Sequence, residues 1–260
     1  MSGLRELKIN GISLLSQFGV WISGDNVFNG AEPSVEAVKI PGRNGDLIFQ
    51  DNRFNNFQIK YPCMISQDFM SRFPELRAFL YSDVGYRSIT DSYFPGMYRM
   101  GRIVGASNPT KISWSADVAT FTITFDCKPQ HYLNEGDPIT IQSGTPITIQ
   151  NPYRFDAKPL VTLNIPTTDP GSANAIKLSM NEFFILIDHS IYTDLQPSDR
   201  ANILIDFELM DAYYEDNNLN KYIIDPNPGY FESMKLKQGN NIVSTENTSA
   251  VIWRKRFWTL

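Results

Sequence analysis

Segments in which apolar and polar residues alternate recur along much of the chain. In Phe57–Ile65 every second residue is apolar, and Gln58 and Lys60 take two of the positions between. The same alternation runs through residues 121–127, where threonines and an aspartate separate the apolar residues. Because successive side chains of a strand point to opposite faces, both patterns predict half-buried antiparallel strands. Apolar runs at 161–165, 183–187, 202–207 and 251–253 predict further strands.

One segment has helical spacing instead. Its apolar residues, three or four positions apart, are Phe69, Phe73, Leu76 and Leu80, with Phe79 beside them. Ser71 is a candidate N-cap for a helix with Pro74 in its first turn, where proline is tolerated. The stripe predicts core packing against a sheet, with a groove for a partner as the alternative.

Chain breakers between residues 128 and 138 predict a domain boundary. A strand is predicted to end at Cys127, and prolines, Asn134 and Gly136 follow it. Beyond this segment no long helical stripe occurs, and prolines and asparagines separate short strands. The predicted fold class is therefore mainly β, with two β-sandwich domains at 1–133 and 134–260 and one helix in the first.

Composition narrows the classes of function. The 260 residues are 42% hydrophobic and 20% charged, which is typical of globular domains. A net charge of −5 disfavours a nucleic-acid or anionic-membrane surface, because both need a broad field of lysine and arginine. No stretch approaches the roughly 20 apolar residues of a spanning helix, and the N-terminus lacks the apolar region of a secretory signal.

Few residues suggest chemistry. Cys63 and Cys127 lie within strand-like runs, so two buried free thiols are predicted, with a disulfide as the alternative. His131 and His189 have no second ligand at metal spacing, and no metal or cofactor is predicted. Carboxylate pairs that a glycosidase could use are Glu208 with Asp211, Glu215 with Asp216, and Glu182 with Asp188. Because acidic turn residues are commonplace and no phosphate loop or nucleophile elbow occurs, the chain is predicted not to be an enzyme.

Several segments in order resemble those of the distal tail (Dit) proteins of long-tailed phages. Residues 38–47, VKIPGRNGDL, resemble the family loop V-P-G-R-D-G-D-L, with Asn44 where aspartate is frequent. The Asn-Gly pair also predicts a tight connection between strands. Residues 85–93 resemble G-Y-x-x-L-x-D-S, 99–104 the strand after it, and 125–133 the run F-x-C-K-P-Q-x-Y-L.

The second half continues the resemblance. Residues 149–161 resemble N-P…A-K-P-x-I, 203–206 resemble I-x-I-D, and 236–242 resemble L-x-x-G-x-N-x-I. Residues 252–258 depart from the final I-x-P-R-W, so no role is carried over for them. We expect a last strand there, with Trp253 and Phe257 facing inward.

The resemblance implies a ring-forming N-terminal sandwich and a galectin-like C-terminal β-sandwich. It also implies a hexameric hub, as one ring or two back to back, that joins the major tail tube protein to tail-tip or tail-associated proteins. The tape-measure protein and the passing DNA would occupy its channel, and receptor-binding or baseplate proteins would sit outside. The expected location is the virion tail, after assembly in the host cytoplasm.

Two sets of residues are candidates for contacts. The subunit-contact candidates are Arg43, Asn44, Asp46, Arg53 and Phe54. An exposed loop with Arg43 and Asp46 can form charge-assisted bonds with a neighbour, and residues 51–57 suit an extended arm laid on a partner. A plain hairpin and a solvent-exposed connection are the alternatives for this region. The glycan or partner-docking candidates are Tyr213, Tyr214, Asn217, Asn218, Tyr222 and Tyr230. They support an alternative function, a carbohydrate-binding module of a tail tip or cell-surface protein.

Overall fold

The computed structural model describes residues 5–25, 27–106, 109–113, 117–134, 137–171, 175–200 and 202–260, without the side chains of residues 51, 52, 199, 200 and 253. The chain is mainly β, as predicted, and divides into two compact units, Met1–Asn134 and Glu135–Thr259. Among the described residues, no helix is long and apolar enough to span a membrane.

The first unit is built around one large antiparallel sheet. Its strands are β1 (Leu7–Ile9), β2 (Ile12–Ser13), β3 (Val20–Ile22), β4 (Pro33–Val38), β5 (Leu47–Phe54), β6 (Phe57–Ile65), β7 (Arg87–Asp91), β8 (Met97–Ala106), β9 (Thr110–Ser113) and β10 (Val118–Leu133). The order in the sheet is β2-β1-β7-β8-β10-β6-β3, with β9 also paired to β10. Strands β4 and β5 form a separate two-stranded sheet.

The long strands β6 and β10 confirm the alternation seen in the sequence. They pair antiparallel from Cys127 opposite Phe57 to Ala119 opposite Ile65. The apolar side chains of both strands fill the core, and the residues between them are half-buried or exposed. The period of two therefore determined the buried face of this ladder correctly.

Strand β10 extends further than predicted. It does not end at Cys127 but continues to Leu133, and its pairing with β8 shifts register between Cys127 and His131. Pro129 lies in this irregularity, where a proline removes no regular ladder hydrogen bond. The local chain breakers mark a bulge within the strand.

Helix α2 (Phe69–Tyr81) confirms the helical stripe, and Phe69, Leu76 and Leu80 are buried in the core. The Ser71 cap is wrong: the N-cap is Asp68, in a left-handed conformation, and Ser71 lies inside the first turn. A second, short helix that was not predicted, α1 (Leu14–Phe18), is capped by Ser13, whose hydroxyl accepts a hydrogen bond from the Ser16 amide at 3.1 Å.

Both cysteines are buried free thiols, which confirms the prediction. In the β6–β10 ladder Cys63 lies opposite Phe121, whereas Cys127 lies opposite Phe57, so the two residues are at opposite ends. Burial raises the pKa of both thiols to about 12. Neither is therefore a thiolate near neutral pH.

A polar cluster is buried in the first unit. Tyr61 donates a hydrogen bond to Asp91 at 2.8 Å, and the Arg99 guanidinium lies 3.7 Å from the same carboxylate. Arg99 also lies 5.1 Å from the ring centre of Phe94, which packs edge-on against His131. Burial and then the charge of Arg99 lower the pKa of His131 to about 3, so this imidazole is neutral in the folded protein.

The second unit is a sandwich of two antiparallel sheets. Its strands are β11 (Ile139–Ile141), β12 (Ile147–Asn151), β13 (Leu160–Asn164), β14 (Ile176–Met180), β15 (Phe183–Ile187), β16 (Ile203–Asp206), β17 (Asp211–Tyr214), β18 (Asn217–Asn218), β19 (Ile223–Ile224), β20 (Gly239–Glu246) and β21 (Ser249–Arg254). Helices α3 (Ile191–Asp194), α4 (Pro197–Arg200) and α5 (Tyr230–Ser233) and a 3-10 turn (Asn220–Tyr222) connect them. The sheets have the orders β11-β21-β13-β16-β17-β18 and β12-β20-β14-β15-β19. A last short strand, β22 (Trp258–Thr259), belongs to neither of these two sheets.

The strands predicted in the second half are all present. Val161, Leu163 and Ile205 of one sheet and Leu178 and Ile185 of the other are fully buried. Phe257 is buried as expected, although it follows the end of β21 and lies in no strand. The side chain of Trp253 lies outside the described part of the structure.

Candidate functional site: the two-stranded arm

The subunit-contact candidates all lie on one hairpin of the first unit. Strands β4 and β5 pair antiparallel from Pro33 opposite Phe54 to Val38 opposite Leu47. Every residue of β4 except Ser34 is exposed, although the strand contains Val35, Ala37 and Val38. We call this hairpin, residues 33–54, the arm. Its apolar side chains are uncovered because the sheet it forms has only two strands.

The base of the arm is tied to the large sheet. Asn55 donates its amide to the Glu32 carbonyl at 2.9 Å, and the Asn29 side chain donates to the Gln58 carbonyl at 3.1 Å. Phe54 is half-buried at this base, and Arg53 beside it is exposed. Of residues 51–57, for which an extended arm and a solvent-exposed connection were the two predictions, 51–54 belong to β5 and therefore to the arm, and Phe57 begins β6.

The tip of the arm holds the other three candidates. Arg43, Asn44 and Asp46 are exposed in the connection between β4 and β5. It spans residues 39–46 and is longer than the tight turn that the Asn-Gly pair predicted, with positive φ angles of 80° at Gly42 and 82° at Gly45. Neither Arg43 nor Asp46 has an ion-pair partner in the described ranges, so both charges are available to a neighbour.

The docking candidates of the second unit separate into three places. Tyr213 and Tyr214 of β17 pair with Asn218 and Asn217 of β18, so these four lie together at the end of one sheet. A shallow depression of about 360 Å³ beside them is lined by Thr162, Asn202, Leu204, Tyr213, Tyr214 and Glu215. It combines aromatic rings with amide, hydroxyl and carboxylate groups, a mixture suited to a polar ligand or a protein loop.

The other two tyrosines have different surroundings. Tyr222 is buried, with its hydroxyl donating to Asp194 at 3.2 Å, so its ring cannot stack against an external ligand. Tyr230 packs edge-on against Phe183 and Phe184 of β15. Sequence spacing could not separate these roles, because a tyrosine that becomes buried and one that stays on the surface can occur in similar loop sequences.

A buried ion pair of the second unit was missed by the sequence reasoning. Arg256 donates from Nη1 and Nη2 to the two carboxylate oxygens of Asp206, at 2.6 and 2.7 Å. Burial alone would raise the pKa of Asp206, but the hydrogen bonds and charge of Arg256 outweigh it and lower that pKa. The available signal was the aspartate of the I-x-I-D motif, Asp206, whereas Arg256 lies in the segment that departs from the family motif.

Two of the three acidic pairs considered for catalysis have structural partners. Glu182 is bound by Lys237 at 2.7 Å, and Asp188 accepts the Ser190 amide at 2.7 Å. Glu208 lies 3.5 Å from Arg256, and Asp211 accepts the side-chain amide of Asn218 at 2.8 Å. In the described part of the chain no three histidine, cysteine, aspartate or glutamate residues form a metal-binding group.

Comparison with known proteins agrees with this architecture. Residues 12–127 match the model of the phage tail protein RIFT-related domain. The Dit protein of phage SPP1, described as a paradigm of the hub adsorption apparatus in phages infecting Gram-positive bacteria, has a similar fold, with a TM-score of 0.67 and 13% identity over 96% of this chain and 98% of that one. A chain of the phage P2 baseplate in its activated conformation with Ca has a TM-score of 0.52 and 11% identity, over 99% and 100% of the two chains. No curated protein matches the sequence.

The domain match identifies a phage tail protein RIFT-related domain in the first unit. More particularly, the fold is similar to that of a Dit protein, and this similarity extends over 96% of the chain. The resemblance predicted from the ordered motifs is thereby confirmed.

Proposed function

We propose that this chain is a structural hub of the phage tail. Six copies close into a ring, single or paired back to back, that joins the major tail tube protein to the tail-tip or tail-associated proteins. DNA and the tape-measure protein use its central channel, and the chain performs no catalysis. The protein assembles in the host cytoplasm and ends in the virion tail.

The observation that carries this proposal is the arm. A ring of identical copies needs one surface on each copy that fits a different surface on the next, and closure follows when the rotation fits. The arm is an extension with exposed apolar residues along its strands and unpaired charges at its tip. Such a combination suits an interface with an apolar centre and a polar rim.

The proposed role of the second unit is to bind other tail proteins outside the ring. Receptor-binding or baseplate proteins would dock at the depression beside Tyr213 and Tyr214, whose lining offers both apolar and hydrogen-bonding groups. A saccharide is the alternative ligand for the same depression. A glycan array with the purified protein, and pull-down with the neighbouring baseplate proteins, would separate these two ligands.

The proposal is tested by removing the arm. Pro33 and Phe54 are paired at its base, so residues 34–53 can be replaced by Asn-Gly, which closes a two-residue hairpin turn. We expect light scattering and negative-stain images to show a hexameric ring or double ring for the full chain and a monomer for the shortened one. The melting temperature of the shortened monomer should be close to that of the full chain, because the arm contributes no residue to the main core.

Two outcomes would contradict the proposal. A full-length chain that stays monomeric at every concentration, alone and with its tail neighbours, would exclude the hub role. A shortened chain that still forms rings would exclude the arm as the contact and leave the hub role to another surface.

A further inference from the structure

The arm has apolar residues on both of its faces. In its register, Val35 lies opposite Gln50 and Ala37 opposite Ile48, and these four side chains share one face, the Val35 face. Glu36 lies opposite Phe49 and Val38 opposite Leu47, and these four share the other, the Phe49 face.

Neither face is covered by another part of the chain that the structure describes. On the Val35 face, Val35 is 48% exposed and Ile48 is 55% exposed. On the Phe49 face, Val38 is 37% exposed and Phe49 is 55% exposed. By contrast, strand β6 alternates, with buried apolar residues facing the core and polar residues such as Gln58 and Lys60 outward.

This two-sided pattern indicates two-sided burial. An antiparallel sheet with one wet face places polar residues on that face, whereas strands covered on both faces are apolar throughout. A hairpin of two strands is marginally stable in water unless a third element packs against it. A hairpin laid flat on a single partner would keep one face polar throughout, whereas three of the four residues named on each face of the arm are apolar.

The charges of the arm indicate the kind of partner. Its three acidic residues, Glu36, Asp46 and Asp51, are balanced by three basic ones, Lys39, Arg43 and Arg53, so the net charge of −5 belongs to the rest of the chain. A neutral apolar arm does not attract nucleic acid, and it can approach an acidic protein without net repulsion. The first unit exposes other large apolar residues, Met70 at 64%, Val84 at 82% and Ile112 at 60%, which also lack cover. A second copy of this chain therefore offers both matching charge and apolar surface.

We propose that in the assembled ring each arm is inserted between surfaces of other copies of this chain, so that both of its faces are buried in copy-to-copy contacts. This inference rests on the proposed hub function and adds to it that the interface is two-sided. The arm then acts as a middle layer of the interface, and each of its faces is needed for closure.

The test uses two paired variants of the full-length chain. Val35→Thr with Ile48→Thr alters one face, and Val38→Thr with Phe49→Thr alters the other. Threonine favours strands, so the hairpin is retained while apolar surface is lost. The matched control is Ile224→Thr with Ile242→Thr, exposed apolar residues of the second unit at 39% and 57%.

We expect each arm variant to raise the concentration at which half of the protein is in rings by at least tenfold, as measured by light scattering or mass photometry. The control should leave that concentration unchanged. If only one face matters while the wild type forms rings, two-sided burial is overturned and the hub function stands. If neither face matters, the arm is not an interface at all. A wild type that never assembles overturns both proposals.

Discussion

At the scale of single residues, buried polar groups explain several segments that resemble the Dit family. Asn151 is 1% exposed and donates to the carbonyls of Phe155 and Leu236 at 2.9 Å each. Asn241 is fully buried and donates to the carbonyls of Lys237 and Gly239, at 2.7 and 3.0 Å. Both amides therefore hold irregular backbone that would otherwise be buried without hydrogen bonds.

These roles could not be read from the sequence. Asn151 and Asn241 both lie in segments that resemble family motifs, but an asparagine that serves a turn and one that is exposed look identical in one sequence. The partners of Asn151 include Leu236, which is 85 positions away along the chain. Such long-range pairing is a property of the folded chain and leaves no local signal.

The ion pair between Arg256 and Asp206 should be important for stability. Replacing Arg256 by alanine leaves a carboxylate that is 5% exposed without its partner, which typically costs about 3–5 kcal/mol. Denaturant unfolding of the variant measures this loss. Lys177→Ala, which breaks an exposed pair with Glu246, is the matched control and should cost about 0–1 kcal/mol. Equal losses in the two variants would contradict the structural role.

His131 should make the fold sensitive to acid. Its pKa is about 3 when folded and near 6.5 when unfolded, so between these values the unfolded chain binds more protons. The stability that neutral His131 contributes is complete above pH 6.5 and is lost as the pH falls towards 3. Between these values the free energy of unfolding falls by about 1 kcal/mol for each pH unit.

The measurement is the free energy of unfolding of the wild type and of His131→Gln between pH 7 and 4. Subtracting the two curves removes the contribution of the carboxylates that both proteins share. The wild type should lose more stability over this range. Parallel curves would show that the folded imidazole accepts a proton as readily as the unfolded one.

At the scale of elements, the alternation of apolar and polar residues predicted strands well where one face of the sheet is exposed to solvent. Strands β6 and β10 have this pattern, and the residues predicted to face inward are buried, apart from Phe57, which is half-buried. The continuation of β10 to Leu133 was not predicted, because Pro129 and its polar neighbours read as chain breakers while pairing with β8 continues across the bulge. Strand pairing from a distant segment overrode a local preference.

The arm was predicted only as a turn with its flanks. Its apolar residues lie on both faces, so neither a period of two nor a helical period appears in residues 35–49. The sequence could place a connection at Gly42 and Gly45 but could not indicate that the strands leave the main sheet.

A monomeric arm should be weakly protected against hydrogen exchange. In a ring-disrupting variant the amides of β4 and β5 should exchange about a hundredfold faster than those of β6 and β10, because two strands without packing open readily. Mass spectrometry of exchanged peptides measures this difference. Equal protection of the arm and the core strands would mean that the hairpin is stable without cover.

At the scale of the whole molecule, the two units have separate cores. The buried cluster of the first unit contains residues from Leu7 to Cys127 only. The order of motifs predicted two sandwiches, because each half has its own strands and turns. Ring formation, channel and partners concern several chains, and no pattern within one chain specifies their geometry.

A chain that ends at residue 133 should still assemble, because the arm and the core cluster lie in the first unit. Light scattering should give six times the mass of the shortened chain for a single ring or twelve times for a double ring, and circular dichroism should confirm that it is folded. Loss of the ring in a folded truncation would assign part of the interface to the second unit.

The open arm also sets a hazard for the newly made chain. Its two strands present unpaired edges beside apolar side chains, which is the pattern that recruits misplaced strands and starts aggregation. In the proposed assembly, aggregation therefore competes with ring formation until each chain has bound other copies. Synthesis in a concentrated burst favours encounter among identical chains, whereas slow dilute production prolongs the vulnerable interval.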